Sequence, residues 1–131
     1  MWVEFDNNPV ARLVGDCSVR ALSKALDIDW EKAYILLCVN GMAMGDMPSS
    51  NSVIGSVLRQ NKFKRENIPN KCSDCYSIKD FCMDNPQGIF VIGTQNHIVC
   101  AINGKYYDSW DSGDEKILYV WYKNFKPIFY I

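Results

Sequence analysis

Residues 93–110 read GTQNHIVCAINGKYYDSW and hold the only histidine of the chain. Two runs rich in Val, Ile and Tyr flank Asn103-Gly104, and that dipeptide is the strongest short hairpin signal a sequence carries. A turn centred there pairs His97 with a position near residue 110. Asp108 then becomes a diagonal neighbour within side-chain reach. The hairpin is therefore expected to set an imidazole and a carboxylate side by side at one end of a sheet.

Further strands are read at GIFVIGT and KILYVWYK, with KPIFYI as an edge strand after Pro127. Upstream the period changes. In GDCSVRALSKALDI, Val19, Leu22, Ala25 and Leu26 form a helical stripe, with Arg20 and Lys24 on another face. Asp16 is placed as N-cap, which makes Cys17 the first helical residue. DIDWEKAYILL predicts a second helix capped by Asp29, burying Trp30, Ala33, Tyr34 and Leu37. GMAMGDMPSSN reads as a loop, and SSNSVIGSVLRQN as a third helix capped by Ser50 or Asn51. A short helix, IKDFCMDN, starts at Ser77 and ends before Pro86 and Gly88. Residues 1–16 are expected to be extended or loop-like, and NKFKRENIPNKCSDCYS polar and turn-rich. Helices first and an antiparallel sheet second make the class α+β.

The chain has 131 residues, enough for one domain (1–131) around a single core. Hydrophobic residues at 48% and charged ones at 22% indicate a globular chain, not a disordered one. A formal charge of −1 with no long run of either sign argues against a nucleic-acid partner. No apolar stretch approaches the ~20 residues of a membrane span, so no membrane partner is expected. MWVEFDNNP lacks a basic region followed by an apolar one, so no secretion signal is read and a cytoplasmic location follows. There the six cysteines are expected to stay reduced, and no cofactor is implied.

Two thiol arrangements then need weighing. CSDC at 72–75 has the spacing of a zinc half-site, but no second such pair exists, and loop thiols are the simpler reading. Cys17 differs, because unpaired N–H groups and the macrodipole at a helix start favour a thiolate. The neighbouring Asp16 opposes that charge unless its carboxylate turns away to cap the helix. A nucleophilic thiol also needs a base, for which His97 is the one imidazole present, and an orienting carboxylate. Asp108 is preferred to Asp111 for that role. The bland alternatives are a buried core thiol, a structural histidine and a turn aspartate.

GDCSVRAL followed far downstream by NHIVCAINGKYYDSW resembles the papain-like cysteine peptidases. The likeness is nearest to the compact double-glycine leader peptidases and small related proteins of phages and Firmicutes. The resemblance implies a papain-like fold, with helices packed on a C-terminal antiparallel sheet. It also implies a phage-encoded or bacterial intracellular protein that cleaves a peptide or isopeptide bond through a thioester. Cys17 would be the nucleophile, His97 the general base and acid, and Asp108 the orienting group. Members usually carry a glutamine upstream of the nucleophile as oxyanion donor. Here that position is Ala11, and no glutamine precedes Cys17. Asn8 is the substitute expected, with Asn7 second. Losing one such donor costs about 3–4 kcal/mol in the transition state. Trp110 and Asn96 are expected to contact a peptide or protein substrate, although core packing and a loop end are the plainer readings of the two. The methionines of MAMGDM read either as an adaptable apolar lip over a groove or as packing between helices. A catalytically weak module serving as inhibitor or adaptor, or an acyltransferase with the same triad, are the alternatives. The sequence sets no oligomeric state.

Overall fold

In the computed structural model, which describes residues 1–69 and 76–130, Asn103 and Gly104 have φ of 51° and 79°. Both lie in the left-handed region that a tight two-residue hairpin requires. The turn joins β4 (Ile98–Ile102) to β5 (Lys105–Asp108). Their register is Cys100 opposite Tyr107, Ala101 opposite Tyr106 and Ile102 opposite Lys105. Continued outward, it sets His97 across from Trp110, with Asp108 on the diagonal.

The other elements are β1 (Trp2–Glu4), α1 (Cys17–Leu26), α2 (Trp30–Met44), α3 (Asn51–Gln60), β2 (Lys64–Asn67), α4 (Ile78–Asp84), β3 (Ile89–Gly93) and β6 (Tyr119–Tyr122). Six strands form one sheet in the order β1-β5-β4-β3-β6-β2. The class is α+β. The sheet is mixed rather than wholly antiparallel, because β1 runs parallel to β5. Val91, Cys100, Tyr119 and Trp121 turn to one face, where the apolar stripes of α1, α2 and α3 close over them. Phe90, Ile92, Val99, Ala101 and Val120 turn to the other, against Phe81 of α4 and Tyr106. A sheet covered on both faces explains why FVI and IVCAI are unbroken apolar runs rather than alternating ones.

Several sequence expectations change, among them the burial of Tyr34, which is half exposed on α2. The second helix continues through GMAM to Met44 and stops at Gly45, whose φ of 68° is a left-handed cap. Gly41 inside it is buried where the returning chain crosses, and a Cβ there would lie 2.8 Å from the Asp46 carbonyl. The cost of a helical glycine, ~1 kcal/mol, is outweighed by that close packing. Two strands, β1 and β2, arise where only extended or polar chain was expected. They are three and four residues long, too short for a periodic signal. KPIFYI is not a strand: Asn85 holds Ile128 through both its amide groups, at 2.8 and 2.7 Å, and Phe129 packs by α4 instead. Asp16 precedes α1 as read, but its side chain makes no cap hydrogen bond.

Gly93 stands opposite Tyr119 across β3 and β6. A Cβ at Gly93 would overlap the Tyr119 ring, which lies over this glycine with the Arg65 guanidinium 4.2 Å from its centroid. Gly93→Ala is therefore expected to destabilise the protein by about 1–3 kcal/mol through overpacking, read as a lower urea midpoint at constant slope. Among the described residues no helix is long and apolar enough to cross a membrane.

Candidate functional site

Cys17 opens α1 and is only partly buried. Because Asp16 does not cap, the first-turn N–H groups of α1 remain available to an anion at the helix tip. His97 lies immediately before β4, and its main chain is fixed by the Thr94 N–H donating to its carbonyl at 2.8 Å. Its side chain is 10% exposed, so one edge of the ring reaches the surface. Its Nε2 meets Asp108 Oδ2 at 2.5 Å. That leaves Nδ1 unoccupied by the carboxylate, and the ring lines two cavities together with Cys17.

Asp108 ends β5 and is 1% exposed. Each of its oxygens is used twice. Oδ2 accepts from His97 and from Ser112 Oγ at 2.6 Å. Oδ1 accepts from the Ser109 N–H at 2.8 Å and Arg20 Nη2 at 3.1 Å. Its carbonyl is held as well, by the Phe5 N–H at 2.8 Å and Trp2 Nε1 at 3.0 Å. The short strand β1 thus clamps the backbone of the residue that orients the imidazole.

These contacts set the titration of the three groups. Burial alone would raise the Cys17 thiol. The hydrogen bond and charge of His97, the Ile98 N–H and the Arg20 charge outweigh it, so the thiol titrates below its ordinary 9.0. Burial would lower His97, but its bonds to Asp108 and Cys17 carry it up to about 9. Burial would raise Asp108, yet donors from His97, Ser112 and Ser109 hold it below the usual carboxylate value. The arrangement favours a thiolate beside an imidazolium.

Arg20 lies on another face than the apolar stripe of α1, as the sequence suggests, and that face too is buried at this position. One turn past Cys17, its guanidinium bridges the Asp16 and Asp108 carboxylates. Asp16 also accepts from Trp30 Nε1 at 2.9 Å. The carboxylate that threatened the thiolate is therefore neutralised by Arg20 rather than spent on capping. A basic residue three positions after the cysteine was the available signal, but its second partner lies 88 residues away, and no local pattern announces it.

Two cavities open beside Cys17 and His97, of about 220 and 310 Å³. Asn96 lines both, while Trp110 lines the larger, its ring 5.2 Å from the His97 ring. Asn8 lines neither cavity. Its Nδ2 donates to the Arg12 carbonyl at 3.1 Å and its Oδ1 accepts from the Val10 N–H at 3.0 Å, so its amide is committed to its own loop. Asn7 Nδ2 donates to Ser23 Oγ at 2.9 Å. Asp111 accepts from the Tyr106 hydroxyl and the Gly113 N–H, not from His97. Cys72 and Cys75 fall outside the described residues, within which no group of His, Cys, Asp or Glu could hold a metal. The structure thus brings Cys17, His97, Asp108, Asn96 and Trp110 together, while the Asn8 amide is bonded within its own loop. No protein-family model, curated protein or solved structure matches the chain.

Proposed function

We propose that the protein is a papain-like cysteine hydrolase acting on a peptide or isopeptide bond, with Cys17 as nucleophile, His97 as base and acid, and Asp108 as orienting group. One observation carries this reading: the imidazole, bonded through Nε2 to a buried carboxylate at 2.5 Å, shares the walls of two cavities with a helix-tip thiol. The Cys17 sulfur forms a bond to the carbonyl carbon, and the carbonyl π pair moves onto oxygen. The Cys17 N–H and the uncapped first turn of α1 stabilise that oxyanion, in place of an upstream amide. Collapse breaks the C–N bond as His97 passes its proton to the departing amine, leaving a thioester. Water then attacks the thioester while His97 takes its proton, and the C–S bond breaks to restore the thiolate. The free thiols Cys17, Cys38, Cys82 and Cys100 fit a reducing, cytoplasmic setting.

Alkylation tests the first step. A mild reagent at neutral pH is expected to modify Cys17 well ahead of Cys38, which is also partly buried. The rate should rise with pH through a midpoint below 9.0, because the thiolate is the reactive form and its pKa is lowered. Mass spectrometry of the peptides reads both; equal rates at the two cysteines would overturn the assignment.

Asn8 being engaged in its own loop favours a second reading, a binding or regulatory module whose oxyanion site is incomplete. Cys17→Ala separates the two, since a hydrolase or acyltransferase loses its effect and a binder keeps it.

A further inference from the structure

Helix α2 buries Ala33, Leu37 and Gly41 against the core, yet its outer side is apolar as well. There Ile35, Val39 and Met42 are 58%, 51% and 79% exposed. A helix apolar all round is ordinarily covered all round, so this outer side has the composition of an interface. Its spacing is that of a helix-pairing seam. Lys32, Ile35, Val39, Met42 and Asp46 follow one another at alternating intervals of three and four. Only the two ends of the seam are charged, and oppositely: Lys32 lies in the first turn of α2, and Asp46 follows its Gly45 cap. Glu31 stands about 100° round the helix from Lys32, off the seam. The Asp46 carboxylate is held in place by the Ser50 and Ser52 hydroxyls, each donating at 2.8 Å.

We propose that this seam binds a second copy of the chain, the two α2 helices packing antiparallel about a two-fold axis at Val39. Lys32 lies seven residues before Val39 and Asp46 seven after it, about 10 Å along the axis in either direction. The two-fold therefore brings Lys32 of each copy to Asp46 of the other, and Ile35 to Met42, so that one patch complements itself. Parallel pairing would set Lys32 on Lys32 and Asp46 on Asp46. The end charges thus select both the partner and its direction, and antiparallel dipoles add to the attraction. One pair of 15-residue helices is a small interface, so the dimer is weak and forms at high protein concentration. No residue of α2 lines either cavity beside Cys17, so pairing leaves both open.

Sedimentation equilibrium of the full chain tests this, at about 5 to 500 μM to suit an interface of this size. The mass is expected to rise from that of one chain toward that of two. Val39→Glu sets two carboxylates face to face on the axis and should keep the chain monomeric throughout. Lys32→Asp should weaken the dimer about tenfold, the effect of turning two exposed ion pairs into repulsions. Mixing the Lys32→Asp chain with an Asp46→Lys chain should restore it, because the mixed dimer has opposite charges at both ends. Circular dichroism and the alkylation rate of Cys17 should stay unchanged in each variant, which separates pairing from folding and from the hydrolase reading. A chain monomeric at all concentrations, a dimer that survives Val39→Glu, or a mixture no tighter than its parts would overturn the proposal. So would a monomer that attaches to phospholipid vesicles through Ile35, Val39 and Met42.

Discussion

Arg20→Met is expected to destabilise the protein by about 3–5 kcal/mol, the range found when one partner of a buried ion pair is removed and its counter-charges stay behind. Both carboxylates it serves are buried, Asp16 at 6% and Asp108 at 1% exposure. Asp108 would keep donors from Ser112, Ser109 and His97, but Asp16 would retain only the Trp30 indole. A urea midpoint that falls at constant slope measures the loss. Adding Asp16→Asn to the same chain should recover part of it, because the uncompensated charge is then gone. Arg20→Lys should be intermediate, since one ammonium does not reproduce a fork that reaches two carboxylates. A loss below about 1 kcal/mol, the value of an exposed pair, would show that the guanidinium does not hold the two ends of the network together.

Asp108→Asn is expected to act on chemistry more than on folding. The carboxylate holds the imidazole through Nε2, and its bond and charge, together with those of Cys17, raise His97 to about 9 against the effect of burial. Without it His97 should titrate closer to its ordinary 6.5. The sign then runs through to the thiol. Less imidazolium at neutral pH means less stabilisation of the thiolate, so the Cys17 midpoint moves up toward 9.0. Alkylation at neutral pH should slow, with the rate recovering at alkaline pH. Turnover of any peptide the protein cleaves should fall roughly ten-thousand-fold, as when an orienting aspartate becomes an amide and fixes the wrong tautomer. An unmoved alkylation midpoint in Asp108→Asn would detach the carboxylate from the thiol's activation and leave Asp108 as a structural hub.

Much of this was legible in local sequence. The period of Val19, Leu22 and Ala25 and the position of Asp16 place Cys17 at a helix start. Asn103-Gly104 sets a register that makes Asp108 a diagonal neighbour of His97, because a two-residue hairpin turn fixes which residues of its strands face each other. β1 and β2 were not legible, because three- and four-residue strands owe their order to the neighbour they pair with. Asn8 illustrates the same limit. Its residue type suits an oxyanion donor, but turn chemistry within its own loop takes the amide first.

By itself, then, the sequence determined the helix that presents Cys17 and the hairpin that joins His97 to Asp108, since both follow from contacts between residues near in the chain. Only the tertiary structure decided that the two units face each other, that Arg20 turns inward to tie Asp16 to Asp108, and that α2 keeps an apolar seam on its outer side. Those outcomes depend on which surfaces the packing of helices on the sheet covers, and that is settled between residues far apart in the chain.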